Sequence, residues 1–487
     1  MADSRRASSL VFKRMERVVD SQQRIIYFLL SILIALWITH GLKDDNFTLP
    51  QIYVLFLLFF SIGLWVTEAI PPFAVGIMIV GFLVFFLGNP EINHPDGPNY
   101  IRVETFVHTW SNSVIWLMLG GFFLAEGMKK TGLDFDVFKF SISRFGDNPR
   151  YILLGIMLAT ACASMVMSNT ATTAMMIASV MPLLRELDDD APFAKSLLLG
   201  IPAAAAIGGM GTIIGSPPNA IVVDAINHIQ NTTFEIGFLE WMLFGIPISV
   251  ILIFIFWWIL LKKYTPKVGK IDLTVFQQDN SSEGEEPDGR DYRLRKKIVL
   301  GVLVVTILLW LTGKIHEIPT AAVSGIPIIV LTMLSIISGE DVRQLPWDTL
   351  MLVAGGLSLG LAIQETGLAT YFVGELQGVK LEHWMLIIIF AMATIIFSNI
   401  MSNTATATIL IPVASLWGGS NPLVLPLVIG LCASCALFLP VSTPPNAIAF
   451  STGKLEQADF RLGGITIGLI GPALIILWVL LVAGWLI

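Results

Sequence analysis

The pentapeptide Ser168-Asn169-Thr170-Ala171-Thr172 occurs twice in this chain, because Ser402-Asn403-Thr404-Ala405-Thr406 repeats it 234 residues later. A Pro-Pro-Asn-Ala tetrapeptide follows each copy, at residues 217–220 and 444–447. These small polar residues and paired prolines lie within long apolar runs, where they interrupt a continuous helix. A duplicated interruption of this kind is typical of membrane proteins that build one binding site from two related halves.

The composition indicates an all-α polytopic membrane protein. Of the 487 residues, 55% are hydrophobic and only 13% are charged, and the mean hydropathy is +0.77, so the chain has too few charges to coat a soluble particle. The net charge of −7 is spread between the apolar runs and indicates no nucleic-acid partner. Three cysteines and six scattered histidines predict neither a disulfide framework nor a metal cluster, and Cys432 and Cys435 are interpreted as packing residues.

Runs of roughly 20 apolar residues predict about 11 membrane-spanning helices. The first, 25–42, follows a basic arm that we expect to be cytoplasmic (1–24). The other predicted spans lie near residues 50–69, 71–88, 112–132, 195–230, 241–261, 298–313, 319–338, 347–364, 421–450 and 464–487.

Two further apolar stretches, 151–184 and 384–418, each carry the Ser-Asn-Thr motif near the middle. The arms that flank each motif are about 15–17 residues long, or roughly 25 Å of helix, which is short for a full crossing. We therefore predict two re-entrant hairpins. Their non-helical tips would reach the middle of the membrane, where free backbone groups must be buried in protein or face a wet cavity.

The distribution of charge predicts the orientation of the chain. With the N-terminus inside, only Lys43, Arg102, Lys314 and Lys380 of the 29 Lys and Arg residues fall in outer loops, which agrees with the positive-inside rule. Eleven crossings then place the C-terminus outside.

Matching motifs in the two halves predict an internal repeat. Five crossings and one hairpin make up repeat one (50–263) and again repeat two (298–487), and because five is odd, the second repeat is inverted relative to the first. The first span with its loop (25–49) precedes repeat one, and a cytoplasmic linker (264–297) joins the repeats.

The core lacks charged side chains. No Asp, Glu, Lys, Arg or His occurs in 151–184, 196–223 or 384–450, so a bound anion must be held by hydroxyls, amides, helix N-termini or bound cations. Ser, Thr and Asn oxygens, together with the carbonyls of broken helices, are suitable ligands for a hard cation such as sodium. The sequence therefore predicts that anion binding is coupled to sodium.

The doubled motif, with Trp65-Val66-Thr67-Glu68-Ala69-Ile70-Pro71 and Leu439-Pro440-Val441-Ser442-Thr443-Pro444-Pro445-Asn446-Ala447, resembles the divalent anion/sodium symporter family. The resemblance implies a homodimer in the lipid of the cell membrane that carries C4-dicarboxylates such as succinate with sodium, by an elevator movement and without any other cofactor. It also implies substrate contacts from Ser168, Asn169, Thr170, Ser216, Ser402, Asn403, Thr404, Thr443 and Pro444. The implied sodium ligands are Ser164, Ser168, Asn169 and Gly215 in one site, and Ser398, Met401, Asn403 and Ser442 in the other.

Several alternatives remain open at this point. The protein could be a sodium-independent dicarboxylate exchanger, a sodium-coupled transporter of sulfate or citrate, or, in another class, a passive anion channel. An enzyme is disfavoured because the segments that carry the motifs contain no acid, base or thiol–histidine pair. Glu68 and Glu317 could be proton-relay groups, as acids within membrane proteins often are, but their position beside prolines at two span ends favours a structural role.

Overall fold

The computed structural model describes residues 2–95, 100–188, 191–228, 235–265, 290–368, 370–371, 382–415 and 421–486. Every regular element within these ranges is helical, so the predicted all-α class is confirmed. The α-helices are α1 (Ala2–Leu42), α2 (Leu49–Thr67), α3 (Pro72–Leu87), α4 (Glu104–His108), α5 (Ser113–Lys130), α6 (Leu133–Phe145), α7 (Pro149–Ser164), α8 (Asn169–Glu186), α9 (Pro192–Gly208), α10 (Pro217–Asn227), α11 (Phe238–Lys263), α12 (Arg290–Leu311), α13 (Gly313–His316), α14 (Thr320–Met333), α15 (Gly339–Arg343), α16 (Trp347–Glu365), α17 (His383–Ile400), α18 (Asn403–Ser415), α19 (Val424–Ala433), α20 (Pro444–Ser451) and α21 (Gln457–Leu486).

Seven segments among the described residues are helical, long and apolar enough to cross a membrane, and five shorter apolar helices accompany them. The spans predicted at 195–230 and 421–450 do not form single long helices, because a break divides each of them. The predicted span at 195–230 is divided between α9 and α10, and that at 421–450 between α19 and α20.

Polar caps set where the membrane helices begin. Thr48 and Gln51 form a capping box at the start of α2, in which each side chain bonds the backbone N–H of the other. Asn112 caps α5 by accepting from Val114 N–H, and Asn148 caps α7 by accepting from Arg150 N–H. Proline at the first position of α7 fits there, because a first-turn N–H has no intrahelical acceptor.

Both predicted hairpins consist of two helices joined by a short tip. In the first, α7 ends at Ser164 and α8 begins at Asn169; in the second, α17 ends at Ile400 and α18 begins at Asn403. The end of the second predicted hairpin, 416–418, lies outside the described residues.

The breaks in the two interrupted spans are longer than the sequence predicts. The sequence predicts the interruptions at Gly215-Ser216-Pro217-Pro218 and Ser442-Thr443-Pro444-Pro445. In the structure, α9 already ends at Gly208 and passes into a 3₁₀ turn at Gly209–Gly211, and α19 already ends at Ala433. The prolines begin the next helix rather than ending the previous one, as their fixed φ and missing N–H allow.

The chain divides into two compact units. One comprises Met1–Trp110 and Asp348–Lys380, and the other comprises Ser111–Trp347 and Leu381–Ile487. Both hairpins and both broken helices belong to the second unit, whereas the predicted repeat boundaries remain a prediction.

Each unit contains one crossing of small residues that has a counterpart in the other. A Cβ on Gly355 of α16 would lie 2.2 Å from the Cα of Gly76 on α3, and a Cβ on Gly120 of α5 would lie 2.7 Å from the Cβ of Ser324 on α14. Gly120 corresponds to Gly355 in the predicted repeat, and Gly76 to Ser324. Small residues at both crossings let the helix backbones come into contact.

Two segments that were predicted from composition alone contain helix. Helix α1 begins at Ala2 and runs through the basic arm into the first span. In the predicted linker, α12 begins at Arg290, while residues 266–289 lie outside the described part of the chain.

Candidate functional site

The two hairpin tips are capped in the same way. Ser168 precedes α8, and its Oγ accepts from Ala171 N–H at 3.2 Å; Ser402 precedes α18, and its Oγ accepts from Ala405 N–H at 3.1 Å. In both helices the N–H groups of the first two residues have no intrahelical acceptor. Each tip therefore presents a serine hydroxyl and free backbone donors at the positive end of a helix.

Oxygen atoms converge on the amide of Asn169 at the first tip. One terminal atom of this amide lies 2.7 Å from Ser164 Oγ, 3.1 Å from the Ala205 carbonyl oxygen and 3.3 Å from the Gly215 carbonyl oxygen. An amide nitrogen at this position would donate to these oxygens. An amide oxygen here would accept from Ser164 Oγ–H and face the two carbonyls, and such an oxygen set suits a hard cation.

Two glycines leave the space for this arrangement. A Cβ on Gly209 would lie 2.5 Å from Asn169 Oδ1 and 3.0 Å from the Gly215 carbonyl oxygen. A Cβ on Gly215 would lie 2.7 Å from the Gly209 carbonyl oxygen and 3.0 Å from that of Ser164. The hairpin tip can therefore approach the backbone of the break only because neither residue has a side chain.

The asparagine of each Pro-Pro-Asn-Ala motif ties the break to the helix that follows it. Asn219, which is fully buried, donates from Nδ2 to the carbonyls of Gly209 at 2.8 Å and Thr212 at 2.7 Å. Asn446 donates from Nδ2 to the carbonyl of Leu439 at 3.1 Å. Leu439 is 227 residues after Thr212, as Asn446 is after Asn219, so the two bonds are equivalent in the repeat. These bonds pair carbonyls that the interruption of the helix leaves free.

The second tip contains buried oxygens that lack a partner. Ser398 Oγ and Asn403 Oδ1 are buried and make no hydrogen bond within the described residues, and they correspond to Ser164 and Asn169 in the repeat. Ser442, only 6% exposed, occupies the position that Gly215 has in the first repeat. Two buried oxygens without a donor fit a cation as their missing partner.

The remaining predicted site residues lie at the starts of the helices that follow the tips and the breaks. Ser216 (2% exposed) precedes α10 without a side-chain cap, and Thr443 (7% exposed) caps α20 by accepting from Asn446 N–H. Thr170 and Thr404 are half-buried at the starts of α8 and α18, while Pro444 is exposed at the start of α20.

Two of the predicted sodium ligands differ from the others in their surroundings. Ser168 is exposed at the tip, and its Oγ accepts from Ala171 N–H at the N-terminus of α8. Met401 is buried at the end of α17, where its carbonyl is the only group able to bind a hard cation.

The residues that sequence reasoning missed act mainly through the backbone. Ala205 and Gly209 contribute a carbonyl and space, and no side-chain pattern indicates either role. Asn219 and Asn446 could have been identified, because they belong to a motif that occurs twice.

The charged residues that flank the charge-free run 196–223 are paired with other residues. Lys195, just before one charge-free run, lies 3.3 Å from Asp459. Asp224, at the end of that run, accepts from Asn112 Nδ2 at 2.6 Å and lies 3.4 Å from His228 Nδ1. No group of three or more His, Cys, Asp or Glu residues able to hold a metal occurs in the described part of the chain. Hydroxyls, amides and backbone groups therefore provide the chemistry of this site.

Packing brings the two halves together. Helix α8 of the first hairpin packs against α20, which follows the second break, and α18 of the second hairpin packs against α10, which follows the first break. Each hairpin thus contacts the broken helix of the opposite repeat, and both polar interruptions belong to one packed body.

Comparison with known proteins gives the same classification. The family profile described as "Sodium:sulfate symporter transmembrane region" matches residues 20–487. The sodium-dependent dicarboxylate transporters SdcS of Staphylococcus aureus strains USA300 and NCTC 8325 are 31% identical to this chain over 464 residues, which cover 88% of this chain and 85% of theirs. The crystal structure of the YdaH transporter of Alcanivorax borkumensis, reported to have an unusual topology, superposes with a TM-score of 0.55 at 14% identity, covering 85% of this chain and 98% of that one; at this identity the likeness concerns the fold alone.

The family match covers nearly the whole chain, including both hairpins and both broken helices. The protein is therefore a membrane transporter that belongs to the sodium:sulfate symporter family, the divalent anion/sodium symporters that its motifs resemble.

Proposed function

We propose that the protein is a sodium-coupled symporter of C4-dicarboxylates such as succinate. The observation that carries this proposal is the oxygen cluster around Asn169, which lies at the N-terminus of a helix that can bind an anion. The SdcS proteins, which share 31% identity with the chain, are sodium-dependent dicarboxylate transporters by name and support the same assignment.

The proposed cations lie next to the anion and balance its charge. The first sodium ion binds among Ser164, Asn169, Gly215 and the carbonyl of Ala205, and the second binds near Ser398, Asn403 and Ser442. Because the charge-free runs contain no Lys or Arg, the dicarboxylate lacks a basic partner there, and the sodium ions lower the electrostatic cost of burying it. Loss of sodium should therefore weaken anion binding.

The doubled site favours an anion with two charged ends. Each tip offers a serine hydroxyl, an asparagine and the N-terminus of a helix. Thr443 and Ser216, which precede the helices after the breaks, add further donors. One carboxylate of the substrate binds at each tip, and this arrangement accounts for the presence of the motif in both repeats.

Movement of the site is proposed to follow the elevator scheme, in a homodimer. Support for the moving body comes from the packing of each hairpin on the opposite broken helix, which ties the two halves of the site together. Support for the homodimer comes from the family resemblance, and mass photometry of the protein in nanodiscs would test it. A mass equal to one chain would contradict this part of the proposal.

The proposed location is the cell membrane, with the N-terminus in the cytoplasm and the C-terminus outside. The bias of Lys and Arg toward the inner loops supports this orientation. Reporter fusions at each terminus, one active only in the cytoplasm and one only outside, would test it.

Uptake of radiolabelled succinate into liposomes that contain the purified protein tests the transport proposal directly. We expect accumulation under an inward sodium gradient and little uptake when potassium or choline replaces sodium. Asn169→Ala and Asn403→Ala should each reduce sodium dependence and succinate affinity together, whereas Asn46→Ala, in an exposed loop, should behave as wild type. Accumulation that is indifferent to the sodium gradient would exclude symport.

Competition by unlabelled anions distinguishes the substrate classes. We expect succinate and other C4-dicarboxylates to block uptake at lower concentrations than sulfate or citrate. Competition by sulfate is measured separately because the family description names sulfate. Stronger competition by sulfate than by succinate would reassign the substrate and leave the sodium coupling intact.

A further inference from the structure

The side chain of Asn399, in the last turn of α17, makes three hydrogen bonds, one within its own helix and two to the break between α19 and α20. Its Nδ2 donates to the carbonyl of Ile395 at 2.8 Å, which fixes the orientation of the amide. Its Oδ1 accepts from Phe438 N–H at 2.9 Å and from Ser442 Oγ–H at 2.9 Å. The side chain therefore connects the end of the hairpin helix to the break between α19 and α20.

The bond from Ser442 to Asn399 determines where the hydroxyl proton of Ser442 points. Ser442 Oγ also accepts from Leu439 N–H at 2.9 Å. A serine hydroxyl has one proton and two lone pairs, so one lone pair of the buried Ser442 remains available. With its proton held by Asn399, Ser442 can present this lone pair to a cation.

The first repeat makes the same connection without a side chain at the equivalent hairpin position. Met165 corresponds to Asn399 at the offset of 234, and its backbone carbonyl accepts from Thr212 Oγ1. Thr212 Oγ1 in turn accepts from Gly215 N–H at 3.1 Å. In the first repeat the hydroxyl belongs to the first residue of this turn, Thr212, and it donates to a backbone carbonyl. In the second repeat it belongs to the last residue of the equivalent turn, Ser442, and it donates to the amide oxygen of Asn399.

We propose that Asn399 is a positioning residue for the second sodium site, which it completes by holding the Ser442 hydroxyl with a lone pair toward the ion. This inference rests on the proposed function, because it assigns a role within the proposed sodium site. It also makes the second site dependent on a side chain that the first site does not need.

Two substitutions at this position test the inference. Asn399→Met introduces the residue of the first repeat and removes the acceptor, whereas Asn399→Asp retains an acceptor for both Phe438 N–H and Ser442 O–H and loses only the donor to the Ile395 carbonyl. The readout is the sodium concentration that gives half-maximal thermal stabilisation of the purified protein, and separately half-maximal succinate uptake in liposomes. We expect Asn399→Met to raise this concentration about 3- to 10-fold, which corresponds to the loss of the one hydrogen bond that orients Ser442. Asn399→Asp should leave it at or below the wild-type value.

The sodium titration separates positioning from general structural support. A purely structural role would lower the melting temperature of Asn399→Met and leave its half-maximal sodium concentration unchanged, and this result would overturn the inference. If Asn399→Met is not recovered in folded form, Asn399→Ala replaces it with the same expected shift. Asn46→Met, in an exposed loop, is the control for the change of residue type.

The double variant tests whether Asn399 acts through Ser442. If it does, Ser442→Ala and Ser442→Ala/Asn399→Met should need the same sodium concentration, because the second substitution removes a partner already lost. Additive shifts would contradict the inference. Failure of the wild-type protein to respond to sodium would instead contradict the proposed function, so the two failures are distinguishable.

Discussion

The two polar interruptions share a sequence motif but use different atoms to build a site. The first uses the carbonyls of Ala205 and Gly215 around the Asn169 amide, in a space kept open by glycine at position 209. The second has Ala436 at the position equivalent to Gly209 and a serine, Ser442, at that of Gly215. Backbone carbonyls thus contribute to the first site, whereas the second has the side-chain oxygens of Ser398, Asn403 and Ser442 at the equivalent positions.

The two copies of the motif therefore share helix caps and hydrogen bonds more closely than they share the protein atoms proposed to bind the ions. The N-caps at Ser168 and Ser402 and the bonds from Asn219 and Asn446 are equivalent in the two halves. The atoms that face the proposed ions are not. The two sites should therefore respond differently to the same substitution, and paired variants can measure this difference.

Gly209→Ala should have the largest effect on sodium-coupled uptake. Its Cβ would lie 2.5 Å from Asn169 Oδ1, well inside van der Waals contact, so the amide must leave the cluster. We expect loss of sodium-dependent stabilisation and of at least 90% of succinate uptake, roughly 1.4 kcal/mol or more of lost binding or transport free energy. Sodium-dependent melting and uptake by the same liposome preparation would be measured.

The matched variant at the second break is Ala436→Gly. It removes one buried methyl group and should change uptake by less than about twofold, with a modest loss of stability of around 1 kcal/mol. Equal losses of uptake from Gly209→Ala and Ala436→Gly would contradict the assigned difference between the two clusters.

Asn219→Ala should be more destabilising than Asn446→Ala. Asn219 pairs two buried carbonyls and Asn446 pairs one, and each carbonyl left unpaired costs about 1–3 kcal/mol. We therefore expect a loss of about 2–6 kcal/mol for Asn219→Ala, and about half of this for Asn446→Ala. Melting temperatures in one detergent would rank them, and a larger loss for Asn446→Ala would reverse the comparison.

The sequence predicted the parts of this arrangement that have a side-chain signature. The doubled Ser-Asn-Thr motif located both hairpin tips within a few residues, because helix N-caps require such side chains. The paired prolines located the starts of α10 and α20, since proline fits the first turn of a helix.

The remaining features depend on contacts between distant segments. Ser164 Oγ donates to the carbonyl of Ala205, 41 residues away, and any residue type can provide that carbonyl. The early ends of α9 and α19 likewise have no local breaker, because glycine, alanine and serine are tolerated inside membrane helices. Asn399 lies in an apolar helix where one amide is not distinctive, and only its bonds to Phe438 and Ser442 show its role.

Ser164→Ala and Ser398→Ala should differ in buffer without sodium. Ser164 Oγ donates to the Ala205 carbonyl at 2.8 Å, whereas Ser398 Oγ is buried without a partner. Without sodium, Ser164→Ala should lower stability by about 1 kcal/mol, and Ser398→Ala should be neutral or slightly stabilising.

The addition of sodium should reveal a loss of stability in Ser398→Ala, relative to the wild-type protein, that is absent without sodium. Both serines are proposed ligands, so both alanine variants should gain less stability from sodium than the wild-type protein does. A full sodium response in Ser398→Ala would remove this residue from the second site.

The smallest effects are expected at Glu68 and Glu317, where the repeats agree in structure. Both residues have a left-handed backbone, with φ of 50° and 58°, at the end of a helix shortly before proline. Nearby, the indole N–H of Trp65 donates to the carbonyl of Pro72 and that of Trp310 to the carbonyl of Thr320, both at 3.3 Å. Because each carbonyl belongs to the residue after the proline, the two corners are stabilised in the same way.

Replacement of either glutamate by glycine should therefore stabilise the protein by a similar amount, about 0.5–1 kcal/mol, since glycine adopts a positive φ without a steric penalty. Both side chains are exposed, so their removal exposes no buried partner.

Glu68→Ala and Glu317→Ala are the controls, because alanine lacks the carboxylate and retains the strain. If alanine stabilised as much as glycine, the carboxylate rather than the backbone would be the cause; if the two glycine variants differed widely, the corners would not be equivalent. Equal gains in stability at these two corners, together with unequal losses of uptake for Gly209→Ala and Ala436→Gly, would show that the two repeats differ at the ion sites and agree elsewhere.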